Sequence, residues 1–164
     1  MTSTLPELHA VIGVRYRDEV TYYVKRSPRM ENYPSAWSLF SIQFEPNALP
    51  DPMDLDRIQE LMSRMSEQRL GGVPIRTKRF LTSGDSTDNP FAKHVFLNLY
   101  EVQLLEEPRL NPDYYTDAAW LTPEEYEERT VEERCGLCLR LWSDYAWMAG
   151  ISDRPYVPRM EGVT

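Results

Sequence analysis

The sequence is poor in the residues that build thiolate metal centres and redox sites: of its 164 residues, two are cysteine and two are histidine. Cys135 and Cys138 form Cys-Gly-Leu-Cys, the spacing of a redox dithiol or of half a zinc site. A redox pair needs its first thiol at a helix amino terminus, where the dipole lowers the thiol pKa. Here Thr130-Val131-Glu132-Glu133 reads as the capping box that starts the helix, so both thiols fall inside it. Zinc needs two further ligands, and His9 and His94 have no matching pair spacing. The two cysteines therefore read as small, reduced, buried side chains, because free Cys is among the most buried residue types.

Long apolar runs are also missing. The longest, such as Tyr145 to Ala149, fall far short of the ~20 residues of a bilayer span, which excludes a membrane helix. The first ten residues, MTSTLPELHA, have neither a basic n-region nor an apolar h-region, so a cytoplasmic location is expected. Positive charge is in deficit, with 18 basic against 26 acidic residues and a net charge of -8. That balance excludes general nucleic-acid binding, whose affinity comes from Lys and Arg neutralising phosphates. The local run Arg76-Thr77-Lys78-Arg79 reads first as a solvated strand face and second as a place for a phosphorylated small molecule.

What is present points to one folded domain. A hydrophobic content of 41%, with four Trp, is enough for a packed core and clear of the signature of disorder. The length suits one domain, expected over residues 8–150, with tails at 1–7 and 151–164. Residues 9–16 and 20–26, both rich in β-branched and aromatic side chains, flank Arg17-Asp18-Glu19 and predict a hairpin. Residues 36–44 predict one further strand, ended by Glu45-Pro46. From Met53 to Leu70 the period changes to that of a helix, with Ile58, Leu61, Met62 and Met65 on one face and Gly71-Gly72 as the stop. Strands are predicted over 75–82 and 93–105, with a shorter one at DAAWL. Thr122-Pro123-Glu124-Glu125 is a strong helix start, and a long helix is predicted from about Val131 to Met148. The fold class is α+β, with a mixed sheet sandwiched between helices.

This order, with several of its segments, resembles the Nudix hydrolase superfamily over about residues 8–150. Val20 to Pro28 is similar to the family's strand with a basic pair and a Ser/Pro loop, Trp37-Ser38-Leu39 to its Trp-x-Leu strand, and Trp120-Leu121-Thr122-Pro123-Glu124-Glu125 to its closing motif. The resemblance implies an α/β/α sandwich. It also implies a cleft for a nucleotide-like or phosphorylated small molecule, cleaved with the help of Mg²⁺ or Mn²⁺ held by helix glutamates. Hard cations of this kind need charged oxygen ligands.

The metal-binding signature is the part that departs. Glu45 matches the acid ahead of the family's helix, but both glycines beside it are missing. Placing the signature's final Gly on Gly71 puts its Arg on Arg64 and its three glutamates on Met65, Gln68 and Arg69. Shifting one residue back gives Arg64, Glu67 and Gln68. At most one acid survives, and the first frame substitutes a cation for a ligand. Three readings follow. The first is a divergent Nudix protein that binds its ligand through residues such as Arg26, Trp37, Arg76, Lys78 and Trp120, with hydrolysis lost or reduced. The second is an active hydrolase whose metal and catalytic residues are Glu45, Glu60 and Glu67 in a rearranged site. The third is a protein-interaction module on the same scaffold. For Glu60, Arg64 and Glu67 the plainer alternative is a solvated face of weak ion pairs.

Overall fold

The computed structural model of the chain describes residues 7–31, 33–44, 51–86, 94–122, 125–126 and 136–151. Eight strands and two helices of regular length lie among them: β1 (Glu7–Val14), β2 (Tyr16–Arg17), β3 (Val20–Arg26), β4 (Trp37–Ser38), β5 (Ser41–Phe44), α1 (Leu55–Arg69), β6 (Ile75–Ser86), β7 (His94–Leu104), β8 (Tyr115–Leu121) and α2 (Gly136–Met148). The strands form two sheets of four. One is mixed, ordered β5-β1-β7-β6, with β1 parallel to β7 and the other pairs antiparallel. In the other, β3 is central: β8 takes one edge, while β2 and β4 share the opposite edge.

β1 explains why the mixed sheet is the middle layer. Its apolar residues do not alternate with polar ones, because both of its faces are covered. Ala10, Ile12 and Val14 enter a core shared with α2, and Val11 enters a second core shared with α1. A strand buried on both sides needs helices on both sides, and α1 and α2 supply them.

The predicted hairpin turn forms, with Asp18 in the left-handed region at φ 55°. Only Tyr16 and Arg17 pair with β3, however. The apolar run ahead of them leaves for the mixed sheet, where its hydrogen-bonding partners are β5 and β7. The single strand expected over 36–44 is likewise two. It bends between Ser38 and Ser41, so that Leu39 enters the α2-side core and Phe40 the α1-side core. Gly13 makes this crossing possible. Its N–H donates to the Phe40 carbonyl at 2.9 Å, and a Cβ there would lie 2.3 Å from the Phe40 ring.

α1 follows its sequence pattern closely. Asp54 caps it by accepting from the Arg57 N–H at 3.2 Å. Ile58, Leu61, Met62 and Met65 are buried, each worth about 1.5–3 kcal/mol of apolar transfer. The stop is a left-handed glycine, Gly71 at φ 77°, where a side chain would also strike Arg109. On the other side of the sheet, Thr122 and Glu125 form the expected reciprocal cap: the Glu125 N–H donates to Thr122 Oγ1 at 3.2 Å, and the Thr122 N–H donates to Glu125 Oε1 at 3.0 Å. α2 buries Cys138, Trp142 and Ala146 and ends at Met148, with the chain turning through Gly150 at φ 75°. Cys138 accepts a contact from Ser38 Oγ at 4.0 Å. Cys135 and the expected cap at Thr130 lie outside the described residues.

Candidate functional site

The helix that the resemblance assigns to metal binding has a buried face and an exposed stripe, and neither carries a cluster of acids. On the stripe, Glu60 is committed to Arg57 at 2.7 Å, while Arg64, Glu67 and Gln68 face solvent. In the first frame Met65 is part of the core and Arg69 is buried, and neither side chain offers a charged oxygen to a cation. Among the described residues no three His, Cys, Asp or Glu side chains come together to hold a metal ion. Glu60 and Glu67 are seven residues apart, roughly 10 Å along the helix axis. Arg57 and Arg64 share the helix with these two acids, and Glu60 is paired with Arg57, so α1 offers little net negative charge to a hard cation. Among the described residues, α1 therefore presents no set of acids that fits a divalent cation.

Arg69 sits in the last turn of α1. Its guanidinium lies over the Tyr114 ring, 4.4 Å from the centroid, and 5.8 Å from that of Tyr115. Arg69 Nη1 donates to the Tyr115 hydroxyl at 3.2 Å, and the same oxygen accepts from the Ser41 N–H at 3.1 Å. Three segments distant in sequence are thereby tied together: the start of β5, the end of α1 and the start of β8. The loop between β7 and β8 closes the end of the helix. The Arg109 N–H donates to the Leu70 carbonyl, the Asn111 N–H to that of Arg69, and Asn111 Nδ2 to that of Gln68.

A second arginine cluster forms farther along β8. Trp120 lies five residues beyond Tyr115, roughly 16 Å of extended strand. Arg15 lies against both Tyr22 and Trp120, at 5.0 and 4.8 Å from their ring centroids, and Arg17 approaches Trp120 at 5.1 Å. Tyr22 meets Trp120 edge to face at 5.3 Å. Arg15 also pairs loosely with the exposed Glu107 at 3.4 Å. Burial raises the Tyr22 phenol above its ordinary pKa, and the nearby Arg15 cation works against that rise. Two arginine–aromatic groups thus stand at the margin of the α1-side core. Planar groups of this kind hold phosphates and stack on ring systems.

Of the site residues expected from sequence, Trp120 belongs to the second cluster. Trp37 does not line this face, since it is packed into the α2-side core. Arg26 is buried at the end of β3, where the register with β8 shifts. Arg76 and Lys78 are exposed on β6, and Lys78 stands 3.7 Å from Glu101. Glu60 and Glu67 occupy the exposed stripe, and Glu45 lies outside the described residues. Sequence reasoning did not name Arg15, and it treated Arg69 only as a charge that repels a metal. The missed signal was positional: Arg69 follows Met65 by four and Met62 by seven, which puts it on the apolar stripe.

No protein-family model matches the sequence, and no curated protein matches it either. Solved structures do match in fold. A NUDIX hydrolase from Nitrosomonas europaea aligns over 94% of this chain and 97% of its own, with a TM-score of 0.65 and 17% identity. A UDP-X diphosphatase aligns over 95% of this chain and 68% of its own, with a TM-score of 0.61 and 14% identity. An ADP-ribose pyrophosphatase from Streptococcus suis 89-1591 aligns over 90% of this chain and 94% of its own, with a TM-score of 0.55 and 9% identity. The chain has the Nudix fold. Identities this low carry the fold and leave the chemistry to be argued from the residues.

Proposed function

We propose that this Nudix-fold chain binds a nucleotide-like or phosphorylated small molecule on the α1 side of its mixed sheet, with metal-dependent hydrolysis lost or much reduced. The observation that carries the reading is the state of α1. Where the resemblance asks for three carboxylates, each frame supplies at most one, and the last position of the first frame is a buried arginine held between tyrosines. The aromatic and guanidinium groups at Arg15, Trp120, Arg69 and Tyr114 are suited to a ring system and a phosphate. The solved neighbours whose names specify a UDP derivative and ADP-ribose are consistent with that ligand class.

Calorimetry with ADP, ADP-ribose and nucleoside triphosphates, with and without Mg²⁺ or Mn²⁺, tests the reading. Release of phosphate or mononucleotide is followed in parallel. Binding of at least one ligand with little turnover is expected. Robust turnover that disappears in EDTA would instead establish the rearranged hydrolase, and single substitutions of Glu45, Glu60 and Glu67 would then locate its metal. A second reading has its own observation: Trp147 and Met148, at the end of α2, are 46% and 85% exposed. A protein-interaction module would use such side chains as anchors. Absence of binding across the whole nucleotide series would favour it.

A further inference from the structure

We infer that Arg69 forms an anion site for a phosphoryl group, and that this site works without a divalent cation. The inference rests on the ligand reading above and names how the phosphate end of that ligand is held. Arg69 is 7% exposed, yet none of the ion pairs among the described residues includes it. Nη1 is spent on the Tyr115 hydroxyl, while the buried Nε has no hydrogen-bond partner. A buried cation with neither a counter-charge nor a full set of acceptors is costly to keep, and an anion removes both deficits at once.

The usual structural role for an arginine in a last helical turn is to satisfy the helix carbonyls. That role is already filled, because Arg109 and Asn111 donate to the carbonyls of Gln68, Arg69 and Leu70. The guanidinium is also aimed. Tyr115 holds one nitrogen, and the Tyr114 ring, the more exposed of the two, lies against its plane. A fixed planar fork matches two oxygens of a phosphoryl group, as a flexible ammonium does not. With a net charge of -8 the chain as a whole repels such a ligand, so a local, desolvated cation is what binding requires. The cation stands at a position where the first frame places a metal-ligating glutamate, so the protein itself supplies positive charge that a bound metal would otherwise bring.

The test is titration of the full chain with inorganic pyrophosphate in excess EDTA, by calorimetry and by the shift in thermal unfolding. Binding and a raised Tm are expected, both insensitive to EDTA. Arg69→Met, checked for folding by circular dichroism, should weaken pyrophosphate by at least about tenfold. Arg69→Lys should restore only part of it. Should Arg69→Met not fold, Tyr115→Phe removes the hydroxyl that aims the fork and should weaken binding severalfold. No pyrophosphate binding by the unaltered chain in EDTA overturns the site, and so does unchanged affinity in whichever variant folds. If ADP binds only with Mg²⁺ while pyrophosphate fails in EDTA, the Arg69 site is wrong and the ligand reading stands. If neither binds, both fall.

Discussion

On the α2 side of the mixed sheet the buried polar side chains are paired. Trp142 Nε1 donates to Thr21 Oγ1 at 3.0 Å, the Tyr126 hydroxyl donates to the Trp37 carbonyl at 3.0 Å, and Ser38 Oγ donates to the Leu39 carbonyl at 3.2 Å. On the α1 side some are equally well placed, such as Ser66 Oγ on the Val73 carbonyl at 2.6 Å. Yet this side also holds every buried side-chain nitrogen or oxygen that lacks a hydrogen-bond partner among the described residues: His9 Nδ1 and Nε2, Arg15 Nη1, Arg69 Nε and Thr77 Oγ1. Strand alternation places them. His9 shares the face of Val11, Thr77 lies opposite Val102, and Arg15 packs on Tyr22. Unpaired buried polar groups are rare in folded proteins and cost roughly 1–3 kcal/mol each. The α2 side is finished as packing, whereas the α1 side keeps unused hydrogen-bonding capacity. That is where a ligand would gain most.

The harshest way to break this comparison is to restore an acid where the first frame wants one. Met65 is wholly buried among Ile58, Met62 and the strands beneath. Met65→Glu is expected to cost about 3–5 kcal/mol or more, a large share of a typical domain's 5–15 kcal/mol, and to leave the chain largely unfolded. Urea unfolding followed by circular dichroism measures it. A stable variant that gains metal affinity would show that α1 can rotate this position to solvent, and the donor argument would fail.

A matched pair of polar-to-apolar changes probes the two sides directly. Thr21→Val keeps shape but strands the Trp142 indole N–H in the α2-side core, so a loss of about 1–3 kcal/mol is expected. Arg69→Met removes a buried cation that has no ion-pair partner. Its stability should change by less than about 1 kcal/mol, or rise, because replacing an uncompensated buried charge with an apolar chain recovers desolvation. Equal losses for the two variants would mean that Arg69 is ordinary structure and that the asymmetry between the sides has no functional content.

How far the sequence foretells all this depends on whether the signal is local. The α1 face, the glycine stop at Gly71 and the Thr122–Glu125 cap are local patterns of period or spacing, and each is found where the residues place it. Pairing is not local. β1 lies parallel to β7, with Glu7 opposite His94, and nothing in the alternation of either strand names the other. The bend between β4 and β5 was hidden for a different reason. Leu39 and Phe40 are both apolar and both buried, so a run that changes sheets looks like a run that continues. Arg69 was misjudged because charged residues are exposed by default, and that prior outweighed the periodicity placing it inward. Arg15 escaped notice because its partners, Tyr22 and Trp120, meet it only after β3 and β8 have paired.

The smallest expected effect sharpens the comparison by pH. Burial raises the phenol pKa of both Tyr22 and Tyr100 on the α1 side, with Asp51 adding to the rise for Tyr100. A tyrosine titrates near pH 10 in the unfolded chain. A folded pKa above that value means the native state holds its proton longer than the unfolded state does. The stabilisation is therefore complete below about pH 10 and is lost as pH rises through the folded pKa. Stability measured by urea unfolding should fall over that alkaline window, and Tyr22→Phe or Tyr100→Phe should each flatten the fall. Tyr100→Phe should also lose about 1 kcal/mol at neutral pH, because the hydroxyl donates to the Pro52 carbonyl at 2.7 Å. Arg15 separates the causes. Its cation favours the Tyr22 phenolate and so opposes the burial, which means Arg15→Met should push the Tyr22 titration higher still. Following phenolate absorbance in the near ultraviolet in Arg15→Met against the unaltered protein decides the point. A downward shift would show that Arg15 does not stand over Tyr22 in solution, and the second arginine cluster would then lose its place in the candidate site.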